Sequence, residues 1–139
     1  MAIEQQRSHN STSIDDFHAI AAVVQRYIDG VARGDAAMLA EAFHSDAQLY
    51  GAIGDMRCDM PIADFIKHVE QEPADVGGTY RARITSIVQA GDAAGASVSE
   101  EHYAGTSWCT DFFTLCRQDG SWRIVNKTFA GGEMPVAQP

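Results

Sequence analysis

The sequence predicts an α+β domain in which helices gathered in the N-terminal half pack on a curved antiparallel sheet supplied by the C-terminal half. Three observations predict it. From Ile14 to Val31, apolar residues recur at intervals of three and four, the signature of one buried helix face. After Gly77-Gly78 the pattern changes to alternation, the period of a half-buried strand. Asp119-Gly120 then separates two alternating runs and is the strongest hairpin signal in the chain. Helices grouped ahead of consecutive strands indicate an antiparallel sheet, not an alternating parallel one.

The elements follow in order. Residues 1–12 are polar and without period, and are expected to form a flexible tail. Ser13 with Asp16 resembles a capping box at the start of a first helix, whose buried face is Ile14, Phe17, Ile20, Val24, Tyr27, Ile28 and Val31. Gly34-Asp35 ends that helix and caps a short second one, Ala36 to Phe43. His44-Ser45-Asp46 is expected to turn, and Ala47 to Tyr50 to enter a short strand. Pro61 suits the first turn of a third helix with Ile62, Phe65, Ile66 and Val69 inward. The strands that follow run from Tyr80 to Ile87, through Ala96, Val98, Glu100 and His102, from Trp108 to Arg117, and from Trp122 to Phe129. The domain is expected over 13–130, with 131–139 as a C-terminal tail beginning at Gly131-Gly132.

Composition narrows the function. The chain has 139 residues, of which 45% are apolar, enough for one real core. Its net charge is −9, and its 10 Lys and Arg residues are scattered. Nucleic-acid binding, which needs clustered positive charge, is therefore disfavoured. No run approaches the roughly 20 apolar residues that span a bilayer, and the N-terminus lacks a secretory pattern. The expected compartment is the cytoplasm, with no membrane association. Cys58, Cys109 and Cys116 match no zinc spacing and read as reduced thiols. A nucleophilic Cys with His102 as its base would need an activating environment. His102, Glu100 and Asp111 are metal ligands in type, but their spacing matches no standard motif, so no metal is expected. Nor is a cofactor, and there is neither a phosphate loop nor a nucleophile elbow.

Regular pairing outward from Asp119-Gly120 places Trp122, Ile124, Leu115 and Phe113 on one face. That face turns polar further from the turn, with Asp111, Asn126 and Thr128. Glu100 and His102 join it from the neighbouring strand. Phe112, Val125, Lys127 and Phe129 fall on the opposite side. An apolar wall grading into convergent polar groups is the make-up of a ligand pocket.

The run Tyr27-Ile28-Asp29-Gly30, Gly34-Asp35, Leu39 and Phe43-His44-Ser45-Asp46-Ala47 resembles the opening of nuclear-transport-factor-2-like proteins. The segments His102 to Gly105, Thr110-Asp111-Phe112 and Asp119 to Lys127 resemble the lumazine-binding-like branch of that superfamily, whose fold SnoaL-like cyclases and ketosteroid-isomerase-like proteins share. The resemblance implies a cone: a strongly curved antiparallel sheet wrapped around helices, with a cavity at its open end. It also implies a homodimer joined through the outer sheet face.

Two functions follow as expectations. One is a pocket for an aromatic or heterocyclic small molecule, contacted by Tyr27, Tyr50, Glu100, Phe113, Asn126 and Thr128. The other is an isomerase, dehydratase or cyclase with Asp111 as proton shuttle and His102 as its partner. Against the second stands an ionised Asp111 held in place by Asn126 or a backbone N–H, and a His102 that merely hydrogen-bonds at the sheet margin.

Overall fold

A computed structural model describes residues 13–135; residues 1–12 and 136–139, where most of the expected tails fall, lie outside the described residues. Three helices, α1 (Ser13–Arg33), α2 (Ala36–Ala42) and α3 (Ile62–Gln71), pack on a single mixed sheet. Its strands are β1 (Phe43–Ile53), β2 (Met56–Arg57), β3 (Met60–Pro61), β4 (Arg81–Ala90), β5 (Ala93–Tyr103), β6 (Ser107–Gln118) and β7 (Ser121–Glu133). The order across the sheet is β2-β1-β7-β6-β5-β4, with β3 also paired to β1. All neighbours are antiparallel except β1 and β7, which run parallel. The sheet is thus mostly, not wholly, antiparallel.

Tyr27, Phe43, Leu39, Leu49, Phe113, Leu115 and Ile124 form the centre of the core between α1 and the sheet. Asp35 caps α2 through Oδ1, which accepts from Met38 N at 3.1 Å. The first turn of α1 departs from the expected pattern: Ile14 is 67% and Phe17 48% exposed. Burial against the sheet begins only at Ile20. Before it, Asp16 is held by charge, accepting from Gln89 Nε2 and from Arg117 Nη1, each at 2.7 Å.

His44-Ser45-Asp46 does not turn. β1 begins at Phe43, and these residues bulge out between the pairs Phe43–Ile124 and Gln48–Asn126. β7 continues to Glu133, past the glycine pair expected to end the domain. Pairing with β1 on one side and β6 on the other overrides the turn propensity of Gly131-Gly132.

Three further register shifts shape the site. Thr85 is extra in β4, opposite Val98 and Ser97. One residue is extra in β5, between the pairs Glu100–Cys109 and Tyr103–Ser107. Val125 is extra in β7, between Ile124–Leu115 and Asn126–Thr114. Bulges bend a strand and raise its twist, so repeated ones curve the sheet around the helices.

Candidate functional site

Beyond Val125 every side chain of β7 lies on the face opposite to that expected from regular pairing. Phe113 pairs with Lys127, and Asp111 with Phe129. Lys127 is 3% exposed and faces inward, whereas Asn126 and Thr128 lie on the outer side, where Thr128 Oγ1 donates to Asn126 Oδ1 at 2.9 Å. Neither Asn126 nor Thr128 belongs to the inner cluster. Phe129, expected outside, is turned inward beside Lys127. The bulge in β5 acts in the same way. His102, at φ 55, is carried off the face of Glu100, and Tyr103 takes the inward place. His102 instead lines a separate shallow hollow with Gly105, Thr106 and Glu133, so it is not a partner for Asp111. Tyr50 pairs with Thr128 on the outer face and is 46% exposed, away from the site.

What the fold brings together is Asp111, Glu100, Lys127, Tyr27, Tyr80 and Tyr103, with Phe113 packed behind. Asp111 is fully buried, Glu100 2% exposed. Tyr27 Oη donates to Asp111 Oδ2 at 2.8 Å, and Tyr80 Oη donates to Glu100 Oε2 at 2.5 Å. The Phe113 ring lies edge-on to Tyr27, 4.8 Å between centroids, and fixes that ring. Lys127 Nζ stands 3.7 Å from Asp111 Oδ1. It also lies over three aromatic faces: Phe65 at 4.4 Å, Phe129 at 4.7 Å and Tyr27 at 5.1 Å.

One ammonium can neutralise one carboxylate. Burial first, then the Asp111 charge and a hydrogen bond with Asp111, hold the Glu100 carboxyl well above the usual carboxylate range. Among the described residues, Glu100 Oε1 and Asp111 Oδ1 are the two buried side-chain oxygens without an ordinary donor. A proton on Glu100 given to Asp111 satisfies both. Of the two carboxyl groups, Glu100 is thus the one that favours its protonated form. Tyr27, Tyr80 and Tyr103 are all pushed up by burial and by these carboxylates, so they remain hydroxyl donors.

The Glu100 carboxyl fixes a pH dependence. Its ordinary value is 4.5, and folding raises it. Between the unfolded and folded values the native state holds a proton that the unfolded chain has released. Stability from this group is therefore full at low pH and falls as pH rises above the unfolded value, by up to about 1.4 kcal/mol per pH unit. Glu100→Gln keeps a donor toward Asp111 and does not titrate. In urea unfolding from about pH 5 upward, the variant is expected to gain on the wild type as pH rises. Parallel curves would mean that native Glu100 is ionised.

Two members of the cluster, Lys127 and Tyr103, line a pocket of about 340 Å³. Leu49, Ile53, Met60, Phe65 and Phe129 supply apolar walls, while Lys127, Tyr103, Arg57 and His68 supply polar groups. Cys58 and Cys109 also line it, and burial pushes the Cys109 thiol up to about 12, which leaves it protonated and weakly nucleophilic. Among the described residues, no three His, Cys, Asp or Glu side chains are placed to hold a metal. A larger hollow of about 520 Å³ lies between α2, α3 and the β6–β7 turn, but its charged side chains, Asp119 and Arg123, sit on exposed residues. Among the described residues, no helix is long and apolar enough to cross a membrane.

Helices on a curved, mostly antiparallel sheet with a pocket at the inner face define a nuclear-transport-factor-2-like protein. The family whose members are described as putative lumazine-binding proteins matches residues 15–130, and the chain belongs to that family. A protein of this fold and of unknown function from Shewanella baltica is 27% identical, with a TM-score of 0.79 over 91% of this chain and 100% of that one. Another, from Methylobacillus flagellatus, is 32% identical, with a TM-score of 0.76 over 90% of this chain and 97% of that one. Among curated proteins, the aldolase FrzH of a Cladobotryum species is 25% identical over 82% of this chain and 90% of its own length.

Proposed function

We propose that the chain binds a compact aromatic or heterocyclic molecule in the pocket above Lys127. The observation that carries this reading is the Lys127 amine itself, buried beneath apolar walls and without a hydrogen-bond acceptor among the described residues. The walls suit a ligand body, and Lys127 with Tyr103 suits one polar acceptor on it. A volume of about 340 Å³ falls at the lower end of the range for small-molecule sites. A thermal-shift screen of aromatic, heterocyclic and carbonyl compounds tests it. A ligand at a hundredfold excess over Kd is expected to add about 2.7 kcal/mol of stability. The gain should vanish in Ile53→Trp, which puts a larger side chain on the pocket lining. No stabiliser from any of these classes would sink the reading.

The buried carboxyl–carboxylate pair favours a second reading, proton transfer to and from a bound substrate, as in an isomerase, dehydratase or cyclase. Asp111 would then work with Glu100 and Lys127, in the place first given to His102. The name of the Cladobotryum relative is consistent with carbon–carbon chemistry at such a site. Once a turned-over substrate is in hand, Asp111→Asn should lose at least about a hundredfold in kcat.

A further inference from the structure

We propose that Lys127 captures an aldehyde or ketone covalently, as an iminium, at the inner end of the pocket. The proposal rests on the ligand-binding reading above and names its substrate class. The chain has two lysines. Lys67 is exposed on α3, whereas Lys127 is buried with its tip at the pocket. A lysine serving only as an ion-pair partner would place Nζ within about 3 Å of the carboxylate. Here the separation is 3.7 Å, and aromatic faces occupy the other sides. The amine is thus held in place without being locked by hydrogen bonds. Apolar walls limit the water that would hydrolyse an imine.

The neighbouring groups complete the proton bookkeeping. Asp111 takes one proton from the Lys127 ammonium. The neutral amine attacks the carbonyl carbon, forming the C–N bond and opening the C=O bond to a carbinolamine. The carbinolamine oxygen leaves as water, carrying two protons that were on the nitrogen; Asp111 returns the one it took. Ammonium and carbonyl become iminium and water, with no oxidant, reductant or other co-reactant. Glu100, sharing its proton with Asp111, keeps that carboxylate oriented and lowers the charge repulsion around it. Tyr103 stands at the pocket as a donor for the carbonyl oxygen.

The test is reductive trapping of the full chain with benzaldehyde or cyclohexanone and cyanoborohydride at neutral pH, read by peptide mapping. Lys67 serves as the internal standard of an ordinary exposed amine. Lys127 is expected to be alkylated at least about tenfold faster, despite its burial, and Asp111→Asn should erase that advantage without changing Lys67. Equal or faster labelling of Lys67 in the wild type overturns the proposal, whatever the folding of the variant. The same probes are run without reductant in thermal shift. Stabilisation without Lys127 labelling sinks the iminium and leaves the binding reading standing. Neither stabilisation nor labelling sinks the iminium and counts against binding of carbonyl ligands as well.

Discussion

Asp111→Ala is expected to lower the free energy of unfolding by about 3–5 kcal/mol, the usual cost of leaving one member of a buried ion pair behind. Three losses coincide in this variant. The Lys127 ammonium loses its carboxylate at 3.7 Å. The Tyr27 hydroxyl loses its acceptor at 2.8 Å, inside a ring cluster that offers no other. Glu100 loses the hydrogen bond to its shared proton. Asp111→Asn keeps an acceptor for Tyr27 and should cost less, on the order of 1–3 kcal/mol. The double replacement Asp111→Leu with Lys127→Met removes both charges together and should recover much of the loss, because a buried pair replaced by apolar groups is often near neutral. Chemical denaturation of wild type, Asp111→Leu, Lys127→Met and the double variant forms the cycle, with Asp111→Ala and Asp111→Asn measured beside it. If Asp111→Ala were within about 1 kcal/mol of wild type, or if the double variant were the least stable, the pair would not be charged in the native state.

Gly51→Ala should be comparably damaging for an unrelated reason. Gly51 in β1 pairs with Phe129 in β7. A Cβ there would be driven into the Phe129 carbonyl oxygen and to 2.7 Å from its ring. Backbone cannot yield as a flexible side-chain tip can, so the parallel pair must part or shift. The expected cost is about 3 kcal/mol or more, or roughly 10 °C in Tm for a domain of this size. Phe129 also lies over Lys127, so the lesion should loosen the pocket as well as the sheet. Gly54→Ala is the control: at φ +57 its Cβ meets open space, and backbone strain alone should cost about 1–2 kcal/mol. Equal Tm values for the two variants would show that β7 moves aside freely.

Fold and site differed in how much of them could be read in advance. Helix periodicity from Ile20 to Val31, the Asp119-Gly120 turn and the pairs nearest that turn are local signals, and the structure has them. So is the inward setting of Tyr27 on α1, and of Glu100, Asp111 and Phe113, which lie where their own strands are regular. Lys127, Tyr103 and Tyr80 were missed. The first two stand beyond a bulge, and one extra residue reverses the facing of all that follows. A trace of each bulge was present in the pattern. Trp122 and Ile124 are even-numbered, whereas Phe129, the next large apolar residue that must be covered, is odd. Ala96 and Val98 are even, whereas Tyr103 is odd. A change of parity within one strand requires an inserted residue, although it does not say where. Tyr80 lies just before β4, two residues from Ala82, which pairs with Glu100, so its hydroxyl reaches Glu100 as a diagonal neighbour on the adjacent strand. The bulge at Thr85 keeps that register from being read off the β4–β5 turn. His102 failed as a candidate because its parity was right only for a regular strand.

The bulge at Val125 also separates two heritable traits. Exchanging a base within the codon for Lys127, Phe129 or Cys109 alters what the pocket contains and leaves the path of the strand alone. Losing the whole codon for Val125 does the reverse. Ile124, Lys127 and Phe129 would then alternate regularly and stay on their present face, while the strand that carries them straightened. Descendants of such a gene could thus change the breadth of the cavity without changing its chemistry, or its chemistry without its breadth, each by one event.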